Sequence, residues 1–187
     1  RVTRDGYDEL LPAWSPDGTR LVFVSKRRPE FDRDENWDLY VVDARPDAEP
    51  RPLTTFPGPD AHPDYGSRPA WSPDGRWIAY VRGGPPDRFF WYTIERLAVV
   101  PAEGGAPRVL TESLDRNVSQ PRWSPDGSRL YFLLEDDRST HLASVPVRGG
   151  AVRRHVAGRR FLSDYAVGPQ GRIAVLASTP DRPAEVF

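Results

Sequence analysis

Short apolar runs recur along the chain with polar turns between them. Leu21-Val22-Phe23-Val24, Ile78-Ala79-Tyr80-Val81, Leu130-Tyr131-Phe132-Leu133 and Ile173-Ala174-Val175-Leu176 form one set. After a variable loop, a second set follows in three of the four cases: Leu39–Val42, Leu97–Val100 and Leu142–Val145. Runs of four, rich in β-branched and aromatic residues and bounded by Gly, Pro and Asp, predict strands. A closing segment ends in Leu53-Thr54 and in Leu110-Thr111, with His155-Val156 at the third position, and Val2-Thr3 aligns with it at the start of the chain.

The runs are phased by a repeated pentapeptide. Trp-Ser-Pro-Asp-Gly stands at 14–18, 71–75 and 123–127, and Val167-Gly168-Pro169-Gln170-Gly171 is a worn fourth copy, with spacings of 57, 52 and 44 residues. Pro presets φ at the second position of a turn, Asp suits the third, and Gly accepts the positive φ that closes a tight hairpin. Each copy therefore joins the first strand of a unit to the second. The Trp before the turn is placed to cover a neighbouring sheet, and core packing is the ordinary role for such a ring.

Units of this length with four strands each predict an all-β fold, a β-propeller fragment of four-stranded blades. The expected division is the end of a preceding blade at 1–9, blades at 10–56, 57–113 and 114–157, and the first half of a further blade at 158–187. That gives about three complete blades with partial blades at both ends. Such a piece is expected to be stable inside a larger ring.

Composition narrows the function classes. The net charge is −1 and the basic residues, all Arg except Lys26, are scattered, so no stripe suggests nucleic acid or an anionic membrane. No apolar run approaches the roughly 18 residues of a membrane span. Gly (15) and Pro (21) make about a fifth of the chain, below the ~25–30% of low-complexity sequence. The absence of Cys excludes disulfides, thiolate metal sites and a cysteine nucleophile. A chain that opens at Arg1 and has no Met is expected to be a piece of a longer product.

The pentapeptide, the hydrophobic strand after it and the closing Leu-Thr resemble the β-propeller repeat of TolB. They resemble equally the propeller of prolyl oligopeptidase-family serine peptidases, in particular the acylaminoacyl peptidase and dipeptidyl aminopeptidase branch. Two segments tip the resemblance toward the peptidases: the long charged loop Phe31–Trp37 leading into Asp38–Val42, and the tail Ser178–Phe187, which is similar to the stretch preceding a hydrolase domain. The resemblance implies an α/β-hydrolase domain as partner within the same protein, a Ser-Asp-His triad on that domain, peptide substrates, no cofactor, and a bacterial cytoplasmic location. A TolB-like protein would instead be a non-catalytic, periplasmic protein-binding module. The oligomeric state stays open, a homo-oligomer included. None of the 15 glycines is followed two residues later by Ser, so the Gly-x-Ser-x-Gly elbow is not in this sequence and no catalytic residue is assigned to it.

The candidate substrate-contact residues are Phe89, Phe90, Trp91 and Tyr92, in the 13-residue stretch between the second and third strands of their unit. Four successive aromatics cannot all face one core from a strand, because side chains alternate. They are expected to be buried by their own loop, to meet a neighbouring domain, or to line a substrate chamber. His62, His141 and His155 lack ligand spacing and are expected to lie at the surface or pack at strand ends. The carboxylates Asp32, Asp34, Glu35 and Asp38 lack the spacing of a calcium loop, and the interspersed Arg33 predicts local charge pairing on a solvated loop. No metal site is assigned.

Overall fold

The computed structural model describes residues 1–4, 6–29, 33–85 and 92–187. Blade 1 contains β1 (Glu9–Trp14), β2 (Arg20–Ser25), β3 (Asp38–Asp43) and β4 (Arg51–Pro52). Blade 2 contains β5 (Ala70–Trp71), β6 (Trp77–Arg82), β7 (Arg96–Pro101) and β8 (Arg108–Val109). Blade 3 contains β9 (Val118–Trp123), β10 (Arg129–Asp136), β11 (Ser139–Pro146) and β12 (Arg153–Val156). Blade 4 contains β13 (Phe161–Val167), β14 (Ile173–Thr179) and β15 (Arg182–Val186). Within each blade the strands pair antiparallel in chain order.

The second and third strands read as unbroken apolar runs, and in blades 2 and 3 a neighbouring blade covers both faces of the sheet. Val22, Val24, Leu39 and Val41 of blade 1 pack on Ile78, Tyr80, Ala98 and Val100 of blade 2. The opposite face of blade 2, with Ala79, Leu97 and Val99, packs on Leu130, Phe132, Leu134, Ala143 and Val145 of blade 3. Tyr131, Leu133 and Leu142 then pack on Leu162, Tyr165, Val175 and Ala177 of blade 4. Alternate residues thus serve successive seams, and each fully buried aliphatic or aromatic side chain contributes about 1.5–3 kcal/mol.

The pentapeptide turns are closed locally. Gly18 donates its N–H to the Ser15 carbonyl at 2.9 Å, and Gly75 and Gly127 repeat the bond to Ser72 and Ser124 at the same distance. The Ser hydroxyl, buried in all three copies, donates to Asp at 2.6, 2.6 and 2.5 Å. It also accepts the amide of the residue five positions on, Arg20, Trp77 or Arg129, at 2.9–3.0 Å. Gly18, Gly75 and Gly127 have φ near +69°, where a Cβ would be strained. These bonds hold Asp17, Asp74 and Asp126 at a pKa of about 2, the Ser hydroxyl contributing most.

In the second and third copies the Trp ties its blade to the one before. Trp71 donates its indole N–H to the Ala13 carbonyl at 3.1 Å, and Trp123 donates to Ala70 at 2.8 Å. Trp71 is buried against blade 1, whereas Trp14 is 60% exposed, a departure from the core packing expected of it. The closing Leu-Thr has an equally specific use. The Thr54 and Thr111 hydroxyls accept the Leu39 and Leu97 amides at 2.9 Å, ending a two-residue outer strand. Blade 3 has no such Thr, and its outer strand runs on for four residues.

Two expectations are corrected at the ends. Arg1–Asp8 contain no strand among the described residues, although Val2-Thr3 aligned with an outer strand. An outer strand exists only by pairing with a third strand, and Val2 instead packs beside Phe23, Tyr40 and Val42. Blade 4 continues past its expected half, because Arg182–Val186 pairs with β14. Its Arg-Pro-Ala-Glu-Val sequence, exposed throughout, is a strand by pairing rather than by pattern.

Replacing Trp71 or Trp123 with Phe keeps most of the ring but removes the indole bond to the preceding blade, an expected loss of about 0.5–1.5 kcal/mol. Trp14→Phe should stay within about 0.5 kcal/mol. Urea unfolding followed by circular dichroism checks this, and equal losses at all three positions would contradict it.

Candidate functional site

In antiparallel blades joined by hairpins, the loops between second and third strands emerge at the same end as the connectors between blades. At this loop face the apolar seams give way to polar groups carried on connectors and loops.

The seam between blades 1 and 2 is stitched by the connector after β4. Asp60 donates its amide to the Trp37 carbonyl and Ala61 to the Val81 carbonyl, both at 2.7 Å, while Gly83 donates to Pro59 at 2.8 Å. The approach is close enough that a Cβ on Gly58 would overlap the Gly84 carbonyl oxygen. The stitch carries the Asp60 side chain into the seam, where it is fully buried and neither carboxylate oxygen has a hydrogen-bond partner. Burial pushes its pKa up to about 7; the Thr54 hydroxyl and Arg82, whose Nε stands 4.0 Å away, temper the rise only in part. Asp38 lies buried nearby, raised by burial to about 6 against the pull of Arg28. The Tyr80 hydroxyl is likewise buried without a partner.

Around this core, His62 Nε2 meets Glu35 at 3.2 Å, and its Nδ1 accepts the Asp64 amide at 3.1 Å, capping the short 3-10 turn Pro63–Tyr65. Of the acidic cluster, Asp32 lies outside the described residues, while Asp34, Glu35 and Asp38 pair with cations. The partners lie at the end of blade 1's second strand: Lys26 with Glu35 at 3.2 Å, and Arg28 with Asp34 at 3.4 Å and Asp38 at 3.6 Å. Among the described residues no group of three His, Cys, Asp or Glu is arranged to hold a metal.

At the seam between blades 2 and 3, Glu95 donates its amide to Asn117 Oδ1 at 3.1 Å and accepts the Val118 amide at 3.3 Å. Burial, with the neighbouring Glu135 carboxylate, raises the Glu95 pKa to about 7. Beside it lies a cavity of about 420 Å³ bordered by Gly84, Tyr92, Arg96 and Glu112. The seam between blades 3 and 4 opens into a cleft of about 960 Å³.

Of the four predicted contact residues, Phe89, Phe90 and Trp91 lie outside the described residues. Tyr92 is 84% exposed at the mouth of the blade 2 cavity, on the loop face. His141 is buried at a strand end, and His155 meets Ser144 at 2.7 Å on the outer strand. Asp60 and Glu95 were not singled out in the sequence. A lone Asp in a connector and a Glu before a strand become unusual only when two blades close over them.

No family model matches the chain. Among curated proteins, dipeptidyl-peptidase 5 of Porphyromonas gingivalis is 25% identical over 160 residues, covering 83% of this chain and 22% of that protein. Among solved structures, a putative TolB from Agrobacterium tumefaciens superposes with a TM-score of 0.70 at 22% identity, over 96% of this chain and 57% of that one. Acylaminoacyl peptidase of Pyrococcus horikoshii superposes with a TM-score of 0.68 at 19% identity, over 98% and 26%. The chain thus spans about a fifth of the length of the curated relatives it matches. Fold and stitching together define a partial β-propeller of TolB-type blades. The same blade arrangement superposes on the β-propeller domain of the Trilobed protease from Pyrococcus furiosus with a TM-score of 0.68 at 16% identity, over 99% of this chain and 49% of that one.

The buried carboxyl groups give a signed pH dependence. Asp60 has its pKa raised from the ordinary 3.8 to about 7, so its contribution is complete below about pH 4 and is lost as pH rises through 7. At about 1.4 kcal/mol per pKa unit, the loss is on the order of 4–5 kcal/mol. Asp60→Asn, neutral throughout, should gain stability relative to the parent chain between pH 4 and 8. Melting curves across that range check it; parallel pH profiles for the two chains would contradict it.

Proposed function

We propose that this segment is the gating, substrate-selecting and domain-docking propeller of a serine peptidase of the prolyl oligopeptidase family, one that hydrolyses short or acylated peptides. The observation that carries the reading is the alignment with dipeptidyl-peptidase 5 over 83% of this chain but only 22% of that protein. That proportion leaves ample length for a hydrolase domain, which would supply the Ser-Asp-His triad. In this reading the loop face turns toward the hydrolase domain, and the Phe89–Tyr92 aromatics meet apolar substrate side chains. Folded proteins would be excluded by the ring, and a bacterial cytoplasmic setting is part of the proposal.

A second reading, a TolB-like protein-binding module at the cell envelope, is favoured by one observation: the putative TolB superposes over 57% of its own length. Expression of the longer protein that contains this segment, with a fluorophosphonate probe for activated serines, separates the two. Labelling with turnover of acylated or free-amino-terminus peptides is the expected result. Changing Phe90 and Trp91 to Ala should then raise KM for peptides with large apolar side chains by about tenfold without reducing labelling. No labelling, together with capture of a protein partner, would overturn the peptidase reading in favour of the binding module.

A further inference from the structure

The cleft between blades 3 and 4 is lined by more cationic groups than the fold uses. Its walls are the β10–β11 hairpin, the connector Gly158–Arg160 and the β14–β15 hairpin. Four guanidinium groups border it, Arg138, Arg154, Arg159 and Arg160, against the carboxylates Asp136 and Asp137. Asp136 is already engaged twice, by Arg116 at 2.6 Å and by Arg154. Among the described residues, the side chains of Arg138, Arg159 and Arg160 have neither an ion pair nor a hydrogen bond. Three unpaired guanidiniums thus converge on one cavity whose size, about 960 Å³, is at the upper end of the ~300–1,000 Å³ typical of ligand pockets.

The cleft also has a deeper polar group. His141, only 6% exposed, lines it, and its buried Nδ1 has no hydrogen-bond partner. Burial, with Arg154 nearby, lowers its pKa, so the ring is neutral near pH 7 and offers one donor and one acceptor. At the rim stands Phe161, 56% exposed on the first residue of β13. Cations, a neutral imidazole and an exposed aromatic ring form a set that matches a carboxylate next to an apolar side chain. Guanidinium groups bind carboxylates in a planar, two-point fashion. The unpaired Asp137 at the rim and the net charge of −1 oppose more highly charged ligands such as nucleic acid.

We propose that this cleft binds the carboxylate of a peptide, its carboxy-terminal group or an acidic side chain, through Arg138, Arg159 and Arg160, with Phe161 receiving the adjacent apolar residue. The inference rests on the peptidase reading, since it makes the loop face the peptide-facing side, and it assigns that face a preference for anionic peptides.

Fluorescence anisotropy on the whole chain tests it, with an amino-terminally labelled Gly-Gly-Ala-Phe-Glu peptide as probe. The free acid should bind, and the double variant Arg159→Ala/Arg160→Ala should weaken binding at least tenfold. Arg76→Ala, on the opposite turn face, should leave it unchanged. A carboxy-terminal amide and a free acid with glutamine for glutamate distinguish the two carboxylate sources, and loss of affinity in either one supports the site. Equal affinity for a peptide lacking both carboxylates, unchanged binding by the double variant while its melting temperature is retained, or tighter competition by inorganic pyrophosphate than by peptide would each overturn the proposal. Because the readout is binding, its failure leaves the serine-labelling experiment, and the reading it tests, untouched.

Discussion

The structure depends on covering both faces of each blade. A four-stranded sheet with apolar residues on both sides has no stable existence alone, so every blade must have a neighbour on each face. Blade 2 shows the condition fully met: Ile78 and Tyr80 point to blade 1 while Ala79 points to blade 3, all three without solvent exposure. Apolar contact is non-directional and would tolerate sliding between sheets. The indole N–H of Trp71 on Ala13, and of Trp123 on Ala70, adds the direction that fixes one blade against the next.

That stitch changes at the last seam. Blade 4 has Val167 where the other units have Trp, and its turn is one residue shorter, closed by the Gly168 amide on the Arg172 carbonyl at 2.7 Å. The tie to blade 3 is made instead by the Tyr165 hydroxyl, which donates to the Gln120 carbonyl at 2.6 Å, and by Arg122, which pairs with Asp164 at 2.7 Å. A seam held from inside the blade rather than at the turn is also the seam whose loop end opens into the cleft of about 960 Å³. Polar chemistry follows from the same geometry, because connectors must pass between blades at the loop face. Their carboxylates, Asp60 and Glu95, are carried into spaces that the apolar faces have already enclosed.

The fold was legible because its signals are local. The Ser-Pro-Asp-Gly turn closes within itself, and the Thr hydroxyl that ends an outer strand bonds only as far as the strand beside it, so the turn leaves an identical mark in blades 1 to 3 and the Thr in blades 1 and 2. The third strand of blade 4 left no such mark, because Arg182–Val186 owes its conformation to the edge of β14 and not to any alternation of its own. The site was much less legible. Tyr92 could be named from its run of aromatics, and the structure places it on the loop face. Asp60 beside Arg82, Glu95 near Glu135, and Arg138 across from Arg159 acquire their chemistry only from contact between segments that are far apart or lie on different blades. Neither composition nor spacing encodes that contact.

The central claim is that the Trp indoles lock successive blades in register. Hydrogen exchange of the indole N–H groups, read by NMR on the chain labelled with 15N-tryptophan, tests it most directly. The account expects the Trp71 and Trp123 indole protons to be strongly protected, and that of Trp14 to exchange at close to the rate of an exposed ring. Equal and rapid exchange at all three would mean that the blades are held by apolar contact alone, and would contradict it.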